Sequence, residues 1–158
     1  MNKKCLIIII MAIASAICFS STAALAMDYG CTLTPGYWKT HSKYGPAPYD
    51  DCWTSIGEDR AFYSSGQTVY EVINTPPKAG NAYYILSFQY IAAVLNKNCG
   101  ASFPWELAGE ALIFADSFFS THTPDSPLTK EERAAVIAAA AKLASYNSGL
   151  IGPGHCDD

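Results

Sequence analysis

The chain has 158 residues, with 14 acidic and 10 basic side chains and a net charge of −4. That balance leaves no basic stripe, which excludes nucleic acid and anionic membrane surfaces as partners. Half of the residues are apolar and 13% are aromatic, so the composition is that of a packed domain and not of a disordered chain.

Met1 to Lys4 is basic, Cys5 to Phe19 is apolar, and Ala24-Leu25-Ala26 fits a small-residue cleavage site. Residues 1–26 therefore read as a secretory signal peptide. The apolar run is shorter than the roughly 20 residues a spanning helix needs, and Ile17 before Cys18 argues against a lipoprotein. Cleavage after Ala26 leaves residues 27–158 as a single secreted domain, extracellular or periplasmic and without a membrane span. Of the 6 cysteines, Cys31, Cys52, Cys99 and Cys156 remain. An even number in an exported domain predicts two disulfides, with three connectivities open. The absence of a Cys-x-x-Cys pair makes zinc the lesser reading.

Residues 27–66 show no helical period. Gly, Pro, Ser and Asp alternate with aromatics, Pro35-Gly36 signals a turn, and Gly45-Pro46-Ala47-Pro48 blocks a helix. So many aromatics favour burial, and the segment is expected to be ordered but irregular. Thr68 to Ile73 suits a short helix that Asn74-Thr75-Pro76-Pro77 stops. Asn81 is an N-cap for AYYILSFQYIAAVLNKN, a run apolar on nearly every face apart from Ser87, Gln89 and Asn96, as expected of a central helix. Gly100 suits its C-cap. Pro104 opens the next helix, with Glu106 and Glu110 toward solvent and Trp105, Ala108, Leu112, Ala115 and Phe119 toward the core. Thr129 and Glu132 form a capping box for EERAAVIAAAAKLASYN, which Gly149 ends. The expected fold is all-α: a small disulfide-stapled bundle of three main helices and a short one, with an irregular aromatic-rich N-terminal segment laid against it.

Three motifs resemble a domain of secreted and cell-surface bacterial proteins. They are Cys31 followed by Gly36-Tyr37-Trp38-Lys39-Thr40-His41, then Ile73-Asn74-Thr75-Pro76 with Gly80-Asn81-Ala82-Tyr83-Tyr84, and finally Tyr146-Asn147 running to Ile151-Gly152-Pro153-Gly154-His155-Cys156. The resemblance spans essentially all of residues 27–158. It implies an extracellular module and no particular reaction. It also implies that the first and last cysteines pair, Cys31 with Cys156, which leaves Cys52 for Cys99.

The candidate binding residues are Tyr37, Trp38, Lys39, His41, Trp53 and His155. Tyr37, Trp38 and Trp53, extended by Tyr44 and Tyr49, suit a platform that stacks on sugar rings; the competing reading makes Trp38 a core plug and Tyr37 its hydrogen-bonded cap. If Cys31 pairs with Cys156, His41 and His155 come near one junction. There they suit a divalent metal, with Asp51 as a further ligand, or a general base and its partner; the competing reading has each histidine bonded to backbone. His122 reads as an ordinary surface residue. Lys39 beside aromatics suits a cation–π contact. No nucleophile elbow, phosphate loop or dinucleotide fingerprint occurs. The leading expectation is a non-catalytic structural or binding module with no cofactor, its partner an extracellular polymer, a cell-surface protein or a second copy of the chain. The alternatives are a metal-dependent or acid–base enzyme using His41 and His155, and a carbohydrate-binding module.

Overall fold

The computed structural model describes residues 30–157. The expected signal peptide, its cleavage site and the expected start near Met27 lie outside the described residues. Among the described residues there are five α-helices: α1 (Pro35–Thr40), α2 (Val69–Asn74), α3 (Ala82–Asn98), α4 (Trp105–Thr121) and α5 (Lys130–Asn147). Short 3-10 turns cover Asp51–Ser55 and Lys78–Gly80, and the described residues contain no strand beyond two isolated bridges. The fold is all-α, and no described helix is long and apolar enough to cross a membrane.

Helix α3 is central and touches each of the other four. Its all-round apolar character follows from that position, since Leu86, Ile91, Ala92, Ala93 and Leu95 are all buried. The Asn81 side chain caps it, accepting from Tyr83 N at 2.9 Å. Helix α5 begins with the expected capping box: Thr129 N donates to Glu132 Oε2 at 2.8 Å, and Glu132 N donates to Thr129 Oγ1 at 3.1 Å. These bonds hold the Glu132 carboxyl below its usual range. Thr68 and Glu71 build a second capping box at α2, which the sequence reading did not include.

Two local expectations need correction. The N-terminal segment contains a real helix: Pro35 stands in its first turn, where a missing N–H costs nothing, and the Thr34 side chain caps it. The Pro-Gly turn signal is thus a helix start. Trp105 does not face the core and is 57% exposed. Its indole lies along its own helix over Gly109, with an edge toward Phe103 at 5.0 Å between centroids, and its outer side meets solvent.

Two disulfides, Cys31–Cys156 and Cys52–Cys99, close sequence separations of 125 and 47 residues. They match the pairing that the resemblance implied. The first joins the two ends of the described residues beside a short parallel bridge, in which Thr32 N donates to Gly154 O at 2.8 Å and Cys156 N donates to Thr32 O at 3.1 Å. Gly149 makes this junction feasible. It ends α5 at φ +72°, and a Cβ there would stand 2.2 Å from His155 N.

Candidate functional site

The corner formed by CTLTPGYWKTH is consumed by its own contacts. Trp38 is 1% exposed, and its indole N–H donates to Asn96 Oδ1 at 3.2 Å. The same oxygen accepts from Leu33 N at 2.9 Å, while Asn96 Nδ2 donates to Leu33 O at 2.8 Å and to Asn147 Oδ1 at 3.0 Å. Asn147 Nδ2 in turn reaches Gln89 O and Gln89 Oε1, both at 2.9 Å. A buried amide chain therefore fastens the N-terminal segment to α3 and α5, with its polar atoms paired as burial requires.

Trp53 is not the exposed sugar platform. It is fully buried, its indole N–H donates to Trp38 O at 3.0 Å, and its ring stands edge-on to Trp38. The reason is covalent as well as apolar: neighbouring Cys52 is tied to Cys99 at the end of α3, which draws the 3-10 turn onto the core. Trp38 likewise presents no free face. Tyr44 and Tyr49 are 55% and 43% exposed, so the aromatic surface of this region is made of tyrosine alone.

The remaining candidates are engaged locally. Tyr37 donates its hydroxyl to Asp50 Oδ2 at 3.0 Å, and its ring stacks on His41 with centroids 3.7 Å apart. His41 Nδ1 faces Tyr37 O at 3.0 Å, and His155 Nδ1 faces Cys156 O at 2.6 Å. Lys39 Nζ sits 4.4 Å from the Phe88 ring centroid, and partial burial lowers its pKa. Asp51 is exposed in the first turn of the Asp51–Ser55 helix. Among the described residues no group of three or more His, Cys, Asp or Glu is placed to hold a metal ion. His122, half-buried, stacks on Phe118 with centroids 4.4 Å apart, closer to the core than an ordinary surface histidine.

A different region offers an open site. Residues 60–69 fold back on themselves, with Phe62 N donating to Gln67 O and Val69 N to Arg60 O, both at 2.9 Å. Tyr63 sits near the tip at φ +46°. A bulky side chain in this left-handed region is strained by about 1–3 kcal/mol and persists only where its surroundings over-determine it. Here they do. The Tyr63 ring packs against Phe62 and Phe119, with centroids 5.0 and 5.5 Å away. Its hydroxyl bonds both Tyr90 Oη, at 2.7 Å, and Asp116 Oδ1. Tyr90 also donates to Asp116 Oδ1 at 3.1 Å. Burial, with the Asp116 hydrogen bond second, pushes the Tyr63 phenol far up, and burial raises Tyr90 to about 12. Both stay protonated at neutral pH as hydrogen-bonding groups and do not serve as bases.

Beside this cluster opens a cavity of about 420 Å³. Buried Phe62, Val69 and Ile91 form its floor, and exposed Arg60, Ala61 and Tyr63 stand at its mouth. Its volume lies within the roughly 300–1,000 Å³ of small-molecule sites, and its apolar walls with a few polar groups follow their usual make-up. None of these residues was a sequence candidate. Tyr63, Tyr90 and Asp116 come from a loop and two different helices, and no spacing motif joins them.

Fold and staples define a small, doubly disulfide-bonded, all-α module with an apolar-floored pocket at the α3 edge. No family model, curated protein or solved structure matches the chain.

Proposed function

We propose that the protein is a non-catalytic extracellular binding module whose site is the pocket between residues 56–69 and α3. The observation that carries this reading is the strained Tyr63, held by Tyr90 and Asp116 at the mouth of the 420 Å³ cavity. Strain retained at an opening, rather than relaxed, is the mark of a preorganised site. Export is supported by the leader read in residues 1–26 and by two disulfides, which persist in oxidising compartments. The motif resemblance supports the same setting. Against the rival acid–base reading, the contacts of each histidine are local to its own segment: His41 meets Thr40 and Tyr37, and His155 meets Cys156.

A plug tests the proposal. Ala61 is exposed and lines the cavity, so Ala61→Trp fills the mouth without touching the core. A small-fragment screen by saturation-transfer NMR on residues 27–158 should find binders that Ala61→Trp loses while its far-UV circular dichroism stays that of the parent. Fragments that bind the plugged variant equally well would sink the pocket reading.

A further inference from the structure

We infer that the pocket takes a small apolar monocarboxylate, with its hydrocarbon body on Phe62 and Ile91 and its carboxylate at Arg60. This rests on the pocket reading above and adds the ligand's chemical class.

Charge placement carries the argument. Arg60 lines the cavity and is exposed, and among the described residues its guanidinium enters no ion pair and no side-chain hydrogen bond. The acids around it are engaged elsewhere. Asp59, its sequence neighbour, pairs with Lys43 and accepts from the Tyr44 hydroxyl. Buried Glu58 accepts from Lys43 N at 3.1 Å. Asp116 accepts from Tyr63 and Tyr90. An unpaired guanidinium beside an apolar cavity, on a chain of net charge −4, is the local point that attracts an anion. Its planar fork matches a carboxylate with two parallel hydrogen bonds.

The surroundings narrow the class further. The floor offers Phe62, Val69 and Ile91, all buried and without polar side-chain atoms, so the rest of the ligand must be hydrocarbon. Phe62 and Tyr90 stand edge-to-face, with centroids 6.2 Å apart, an arrangement that also accommodates an aryl ring. Asp116 holds negative charge just behind the two phenols, which disfavours a second anionic group on the ligand. Because the phenols remain neutral, they add no negative charge of their own at physiological pH.

The test uses three probes with one body: 3-phenylpropionate, 3-phenylpropan-1-ol and 3-phenylpropylammonium. Each is titrated into residues 27–158 and followed by two-dimensional NMR. The carboxylate should bind about tenfold more tightly than the alcohol, the gain expected of a charge-assisted hydrogen-bonded pair, and the ammonium more weakly than both. Arg60→Gln should bring the carboxylate level with the alcohol, Arg60→Lys should keep part of the preference, and Ala61→Trp should abolish binding of all three. If Ala61→Trp blocks binding but alcohol or ammonium matches the carboxylate, or Arg60→Gln changes nothing, the ligand class is wrong and the pocket stands. No saturable binding of any probe overturns the ligand class alone, and binding that survives Ala61→Trp overturns both.

Discussion

Around Asn96, polar groups from α1, α3, α5 and the N-terminal segment close on one another inside the protein, at 1% exposure for both Asn96 and Asn147. Around Tyr63, an equally aromatic and polar cluster sits at the surface, with a cavity beside it and a guanidinium left unpaired. The same residue types thus serve opposite ends. A fully paired buried network locks one arrangement, because every broken bond strands a partner away from water. A surface cluster with a void next to it keeps hydrogen-bonding capacity and apolar area for something else. The more conspicuous sequence motif belongs to the lock, and the candidate site lies where no motif points.

The largest expected effect is at the lock's covalent end. Replacing Cys31 and Cys156 together by alanine should cost about 2–5 kcal/mol in urea denaturation. Replacing Cys52 and Cys99 should cost about 1 kcal/mol less, because the closed separations are 125 and 47 residues and chain entropy scales with their logarithm. A greater loss at Cys52–Cys99 would mean that anchoring Trp53 outweighs tying the ends. Next comes the amide chain. Asn96→Ala strands the Trp38 indole N–H, Leu33 N and the Asn147 amide, and should cost about 3 kcal/mol. Asp116→Asn at the exposed cluster should cost about 1 kcal/mol or less. Equal losses would erase the distinction drawn between the two regions.

Alkaline pH sharpens the contrast through the phenols. Burial pushes Tyr90, Tyr83 and Tyr146 up to about 12, from an ordinary value of 10.0. Between those values the unfolded chain has released protons that the folded chain still holds. Stability should therefore be unaffected below about pH 10 and fall as pH rises toward 12, read as a dropping urea midpoint together with delayed phenolate absorbance at 295 nm. Full phenolate absorbance at pH 11 in the folded protein would contradict it. The smallest effect concerns the tryptophans. Iodide should quench Trp105 and spare Trp38 and Trp53. Trp105→Phe should remove the quenchable component while changing stability by about 0.5 kcal/mol at most.

Much of the helical frame was legible because its signals are local. Asn81, Thr129 with Glu132, Gly100 and Gly149 mark helix ends by chemistry contained within a turn or so of chain. The apolar run Ala82–Asn98 declared a central helix by its lack of a polar face. Asn96 stood out there only as a polar exception, and the amide network it anchors came from the structure. Trp105 misled because its spacing from Ala108 and Leu112 describes a helix face, while burial depends on whether another element covers that turn. Trp53 misled in the opposite sense, because a disulfide next to it drew an irregular segment inward.

The positions of α2 to α5 and the caps at Asn81 and Thr129 follow from interactions within a few residues, so the chain alone determined them. The pairing partners of Asn96, the burial of Trp53 and the meeting of Tyr63, Tyr90 and Asp116 involve sequence separations of 15 to 63 residues. Contacts across such lengths leave no periodicity to read, because they exist only once α3 has gathered the other helices around it. The strained backbone of Tyr63 and the cavity beside it are products of that packing, and only the tertiary structure decided them.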